Sequence, residues 1–328
     1  MDAEQLAVRE ISFDTFADLR QRTEGIWSWG CPFVLPFWLE TVQRHLGSPG
    51  RPCILAVHDQ QEPVGILPLA LDGDTARFLG DPDVCDYQDL IAAPGAEAPV
   101  LAAILAHLAH RGVGRIDWCT LRPDAAVVAA LRQVGPDMLK DMAFETVDVT
   151  YEIELPASWD DYLQQLNGKQ RHEVRRKIRR LENEARFAYH RVPAEDDLES
   201  AVATFIDLFR RNRTDKAAFM TGSMPDFFKA LMQRLDQEGM LRLQMLDVND
   251  HPVAAVLCFD YQGVRYLYNS GYDAEHDHLS VGILSKVFGI RSAIALGCRR
   301  FDFLRGAEIY KKRTGGKEIG LHRCRGQL

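Results

Sequence analysis

From about residue 36 onward the chain alternates between strand-like and helix-like stretches. Pro36–Leu46 carries a proline where a helix would begin, followed by apolar positions at helical spacing. Residues 53–58 and 63–71 are apolar runs with strand character, and the polar segment Asp59-Gln60-Gln61-Glu62 between them predicts a hairpin. Short strands are expected at 75–80 and 87–92, an Ala/Leu-rich helix over 97–111 closed by Gly112, a strand at 115–120 and a helix at 124–133. Strand 146–155 leads to a long polar helix from Trp159 to about Ala185. Helices near 198–213 and 224–238 precede strands 241–246, 252–261 and 264–272, with a turn at 247–251. Helix 281–296 and strand 300–304 complete the pattern.

The two halves echo one another. The hairpin around Gln61-Glu62-Pro63-Val64 has a counterpart at Asp250-His251-Pro252-Val253. Gly112-Val113-Gly114-Arg115-Ile116-Asp117-Trp118 matches Gly297-Cys298-Arg299-Arg300-Phe301-Asp302-Phe303, each closing a helix with glycine and entering an Arg-apolar-Asp-aromatic strand. Order and spacing agree at nearly equal offsets, which predicts a tandem duplication: one domain over 1–150 and a second over 151–328. The element order predicts an α+β class, two mixed, mostly antiparallel sheets flanked by helices.

With 46% apolar and 26% charged residues, the 328-residue chain reads as globular. Met1-Asp2-Ala3-Glu4 begins acidic, without the basic start of a secretory leader, and no apolar run nears the ~20 residues of a membrane span. These features predict a cytoplasmic protein, with peripheral attachment at an inner membrane as a variant. The seven cysteines never fall as C-x-x-C, so neither a disulfide framework nor a zinc ribbon is expected, and none has an orienting histidine beside it. His276-Asp277-His278 lacks a third ligand pattern, and no metal is expected. A net charge of −8 argues against a duplex-DNA partner. Against that acidic background, residues 169–180 hold seven Lys/Arg, with Arg171, Arg175 and Arg179 recurring every four positions. Such a ridge repels itself unless it meets anions: phosphates of a lipid-linked sugar, a tRNA acceptor stem or an anionic membrane surface.

The most chemical segment is the last fifty residues. Ser280-Val281-Gly282-Ile283 opens a helix, and a helix start offers unpartnered amides to phosphate. Strand Phe301-Asp302-Phe303-Leu304 follows, then Arg305-Gly306 and Tyr310-Lys311. Asp302 faces away from its two aromatic neighbours, so its carboxylate could orient or deprotonate a nucleophile. Its repeat partner Asp117 favours a salt bridge instead. Tyr310 could protonate a leaving thiolate, Lys311 could stabilise an oxyanion, and Glu308 is a further candidate base.

The basic helix, Gly271-Tyr272-Asp273, Ser280-Val281-Gly282 and Phe301-Asp302-Phe303-Leu304-Arg305-Gly306 with Tyr310-Lys311 together resemble the CelD/BcsL-type acyltransferases of the GNAT superfamily. Their relatives, the FemABX aminoacyltransferases, also have tandem GNAT-like domains. The resemblance implies two GNAT-like domains and acyl transfer from a thioester, usually acyl-CoA, to an amine or hydroxyl of a small-molecule or lipid-linked saccharide. Parted strands would bind the pantetheine arm and the helix start at Ser280–Ile283 the pyrophosphate. The usual Q/R-x-x-G-x-G/A signature is met only in part by His278-Leu279-Ser280-Val281-Gly282-Ile283, which has one glycine. Two alternatives stand beside this reading: a FemABX-like transferase using charged tRNA, and a non-catalytic scaffold of a polysaccharide-synthesis assembly.

Overall fold

The computed structural model describes residues 6–192, 198–212 and 214–328; the acidic start at 1–4 and the expected helix end at Arg213 lie outside the described residues. The chain forms two compact units, Met1–Val149 together with Ile319–Leu328, and Thr150–Glu318. The expected second domain, 151–328, therefore loses its last ten residues to the first unit. The reason is strand pairing. The end of the C-terminal strand pairs antiparallel with the strand at 115–121, Cys324 opposite Trp118 and Gln327 opposite Arg115.

In chain order the first unit has β1 (Leu6–Ile11), α1 (Phe13–Thr23), α2 (Pro36–His45), β2 (Arg51–Asp59), β3 (Glu62–Asp72), β4 (Thr75–Phe78), β5 (Ile91–Ala92), α3 (Glu97–His110), β6 (Arg115–Leu121) and α4 (Ala126–Met138). Strand β7 (Lys140–Glu154) carries the chain into the second unit. That unit holds α5 (Trp159–Gln165), α6 (Gly168–Glu184), β8 (Phe187–Arg191), α7 (Leu198–Asn212), α8 (Thr214–Phe219), α9 (Met224–Gln237), β9 (Leu241–Val248), β10 (His251–Tyr261), β11 (Val264–Tyr272), α10 (Val281–Ala295), β12 (Arg300–Arg305) and α11 (Ile309–Arg313). Strand β13 (Lys317–Gln327) returns to the first unit.

Within the first unit the strands run β1-β2-β3-β4-β6-β13, with β5 on β3. Their apolar face and helices α3 and α4 enclose a core that includes Leu55, Leu67, Ile104, Leu131 and the buried Trp118. Within the second unit the order is β7-β12-β11-β10-β9-β8. Every pair there is antiparallel except β11 with β12. Helix α10 is largely apolar and mostly buried, as a helix wrapped by other elements must be. Leu181 of α6 and Leu246, Val253, Leu284 and Phe288 close one core around its first turns. These are the mixed, mostly antiparallel sheets flanked by helices that the pattern predicted.

The long polar helix expected over 159–185 is two helices. Asn167 caps α6 by accepting from the Gln170 amide at 2.9 Å, while the Gln170 side chain accepts from the Asn167 amide at 3.0 Å. This reciprocal capping box starts a new helix where periodicity alone shows a continuous one. The strand expected at 87–92 shrinks to Ile91–Ala92. Six elements escaped the pattern altogether: β1, α1, β8, α8, α11 and β13.

Gly271 of β11 lies against the backbone of α7; an added Cβ would stand 2.5 Å from the Leu208 carbonyl carbon. Neither backbone can yield cheaply. Gly271→Ala should therefore lower unfolding stability by about 1–3 kcal/mol, the usual penalty of overpacking, read as a fall in urea midpoint at unchanged slope.

Candidate functional site

The parallel strands β11 and β12 pair only at their beginnings. Val264 faces Arg300, Arg265 faces Phe301 and Tyr266 faces Asp302; beyond that pair no β11–β12 register continues among the described residues. A bulge opposite Leu257/Cys258 shifts β11 in the same place. Parting strands leave backbone groups without ladder partners, and buried ones must be satisfied otherwise. Asp302, 1% exposed, does this on one side: its Oδ1 accepts from the Leu304 amide at 2.8 Å and from the Thr150 hydroxyl at 3.3 Å. Lys311, also 1% exposed, does it on the other. Its Nζ donates to the carbonyls of Leu304 and Arg305 at 2.8 Å and of Gly306 at 3.0 Å, and pairs with Glu308 at 2.9 Å. The turn they stabilise holds Leu304 at φ +59° and Gly306 at φ +115°.

Between β11 and α10 a short 3-10 turn, Ala274–Leu279, ends at Ser280 in the left-handed region, φ +60°. Ser280 Oγ accepts from Lys177 Nζ at 2.8 Å, joining α6 to the start of α10. Beside this contact opens a cavity of about 690 Å³ lined by α6, the first turn of α10 and the end of α11. Lys169, Lys177 and Arg313 give it positive charge, His172 adds an imidazole, and Val174 and Ile283 give it apolar wall. Glu173 also lines it, but hydrogen bonds from Arg176 and Lys177 outweigh burial and hold its carboxyl at about 2, so it stays ionised and is a poor proton acceptor.

A helix start, a lysine–serine pair and a strand that leaves its neighbour are the parts of a known fold. Residues 168–312 match the family model described as an acetyltransferase (GNAT) domain. The second unit has a GNAT-like fold. The crystal structure of FemX matches over 97% of this chain and 96% of that one, with TM-score 0.63 and 11% identity. A tandem GNAT protein from the clavulanic acid biosynthesis pathway matches over 98% of both chains, with TM-score 0.51 and 12% identity. The C-terminal domain of a putative lysylphosphatidylglycerol synthetase from Agrobacterium fabrum matches over 87% of this chain and 90% of that one, with TM-score 0.58 and 9% identity. No curated protein matches the sequence. At such identities the structural likenesses speak for fold alone.

Within the GNAT-like unit the expected residues separate into groups. Of the four expected at the donor site, Ile283 lines the cavity and Ser280 touches its Lys177 wall. Val281 is fully buried in the core. Gly282 abuts Tyr272, whose ring would stand 2.6 Å from an added Cβ, so packing already requires a glycine there. Tyr310 lies beside the parted strands with its ring 6.1 Å from that of Phe303. Burial raises its phenol well above the ordinary value, so it keeps its proton at neutral pH. Arg171, Arg175 and Arg179 do come together, on the opposite side of α6 from the cavity, whereas Arg305 lines neither place.

Lys311 and Asp302 both have backbone partners. Each was expected at the reacting atoms, yet the ammonium of Lys311 is saturated by three carbonyls and Glu308, and Asp302 caps a backbone amide. Sequence reasoning also passed over three groups. Lys177 and Arg313 belong to basic runs whose individual faces the pattern did not separate. Lys286, 6% exposed in an otherwise apolar helix, donates to the Gly282 carbonyl at 2.6 Å and lies 5.1 Å from the centre of the Tyr310 ring. A lysine within the apolar first turns of a helix was the signal available. Cys258 is not a nucleophile candidate, because burial pushes its thiol up to about 12. Among the described residues no group of three or more His, Cys, Asp or Glu is placed to hold a metal, and no helix is long and apolar enough to cross a membrane.

Lys311→Met strands three carbonyls that the ammonium now satisfies. It should cost about 1–3 kcal/mol of stability, seen as a lowered thermal midpoint by differential scanning calorimetry. An unchanged midpoint would return Lys311 to the list of purely chemical residues.

Proposed function

We propose that the chain is an acyltransferase that moves an acyl group from an acyl-CoA thioester to an amine or hydroxyl, with a saccharide precursor of the CelD/BcsL type as the acceptor class. The observation that carries the reading is the parting of β11 from β12 beside the Lys177–Ser280 contact at the start of α10. The residues present fit such a donor. Past Tyr266 the β11–β12 ladder stops, which leaves room for an amide-bearing arm, while Lys169, Lys177 and Arg313 offer charge to its phosphates. Bound there, the donor would supply an acyl group already activated by its thiol leaving group.

The chain's own contribution is positioning and one proton. Asp302 and Lys311 fix the turn that leads from β12 to Tyr310. Tyr310, protonated at neutral pH, is the group suited to hand a proton to the departing thiolate. Lys286 beside its ring steadies the phenol's position.

A second reading is aminoacyl transfer from charged tRNA. It is supported by the fold likeness to FemX over nearly the whole of both chains.

Isothermal titration with acetyl-CoA tests the first reading. The wild-type chain should bind, and Lys177→Ala should bind about tenfold more weakly, since a charge-assisted hydrogen bond contributes about 1.5–3 kcal/mol. Tyr310→Phe should leave that affinity within twofold while lowering kcat by about 100-fold or more. A wild type that binds charged tRNA and no acyl-CoA would move the assignment to the second reading.

A further inference from the structure

Helix α6 presents two faces that differ in how their charges are met. Arg176 is paired with Glu173 at 2.8 Å and Arg180 with Glu184 at 3.0 Å. Arg171, Arg175 and Arg179 have no carboxylate within ion-pair distance among the described residues, and neither does Arg291 of α10. These four line one groove of about 650 Å³ together with His172, Trp159 and Ile178; Glu182 is the one acidic side chain in it. At 3.6 residues per turn, positions 171, 175, 179 and 182 share one side of the helix, whereas Lys169, Glu173 and Lys177 point to the donor cavity on the other. Arg175 and Arg179 stand one turn apart, about 6 Å along the axis. Their own hydrogen bonds go to backbone: Arg179 donates to the Arg175 carbonyl at 3.3 Å and Arg171 to the Leu163 carbonyl at 3.4 Å. Trp159 packs at a tilt against Tyr162, ring centres 5.0 Å apart, and lies under the Arg291 guanidinium at 5.8 Å.

Four guanidiniums gathered without carboxylate partners, in a chain of net charge −8, favour a multiply charged anion. Guanidinium forks suit phosphate oxygens in particular, and the indole offers a flat apolar wall. The volume lies within the roughly 300–1,000 Å³ of small-molecule sites. We propose that this groove is a second anion site, separate from the donor cavity, that binds the clustered phosphates of the acyl acceptor. The acceptor is then a diphosphate-bearing small molecule, free or displayed on a lipid. This deepens the acyltransferase reading and rests on it for the word acceptor; the anion site itself does not.

The test is calorimetric titration of inorganic pyrophosphate, and separately ADP, into the full chain, into R175A/R179A and into R176A/R180A. Both double variants remove two positive charges, and the second removes only arginines already paired. Arg175 and Arg179 are exposed, so the fold is kept. Binding at least tenfold weaker in R175A/R179A and within twofold of wild type in R176A/R180A supports the site. Equal losses in both variants would reduce it to general charge, and no binding to the wild type would overturn it. Flotation with phosphatidylcholine vesicles, with and without phosphatidylglycerol, separates the lipid source from the free one: selective loss of flotation in R175A/R179A assigns the phosphates to lipid. Retention of RNA through these arginines without pyrophosphate binding would overturn the small-molecule assignment. Acetyl-CoA titrated into the same proteins should bind all three alike. If acetyl-CoA fails everywhere while pyrophosphate binding keeps its arginine dependence, the donor reading falls and the groove stands.

Discussion

Two parallel strands cannot part inside a protein unless something else takes up their hydrogen bonds. In the second unit β11 and β12 separate after the Tyr266–Asp302 pair, the β12–β7 register shifts between Asp302 and Arg305, and two buried charged side chains take up backbone groups of the segment that follows. Asp302 accepts the Leu304 amide; Lys311 gathers the carbonyls of Leu304, Arg305 and Gly306. An unsatisfied buried polar group costs about 1–3 kcal/mol, so four such groups would close the gap or unfold the turn. The notch, the turn at φ +59° on Leu304, the position of α11 and the placing of Tyr310 all follow from this clamp.

The first unit uses the same strand differently. Its parallel pair, β4 with β6, is shorter still, with Thr75 opposite Arg115 and Ala76 opposite Ile116. There Phe78 and Trp118 pack with ring centres 5.3 Å apart in the core. Asp117, the counterpart of Asp302, is an ion-pair hub: burial opposes its ionisation, but Arg323 and Arg77 hold its carboxyl at about 2. One Arg-apolar-Asp-aromatic strand thus serves a salt bridge in one copy and a backbone cap in the other. The local pattern is the same, so the difference lies in which groups the surrounding elements bring within reach.

That contrast explains what could be read from the sequence. Strands β2, β3, β10 and β11 and helices α3 and α10 were legible because long apolar runs ended at Gly or polar turns. The break at Asn167 was hidden, since a capping box is a matter of two side chains inside a helical pattern. Strand β13 was hidden too: its polar alternation is weak, and its partner β6 lies some two hundred residues earlier. Around the candidate site the segment was visible, and the hydrogen-bond partners of two of its residues were not. Asp302 and Lys311 carry the residue types of catalysis, and only hydrogen-bond partners distinguish a proton carrier from a backbone clamp. Conversely Lys177 and Lys286 earned no notice, one submerged in a basic run and the other in an apolar helix.

The central claim is that the parted strands and the start of α10 form one donor site, confined to the second unit. Hydrogen–deuterium exchange with and without acetyl-CoA tests it directly. Protection is expected at residues 267–272, 280–284 and 303–313, and nowhere in 6–149. Protection centred on β4, β6 and the start of α3, or none at all at saturating acetyl-CoA, would contradict it.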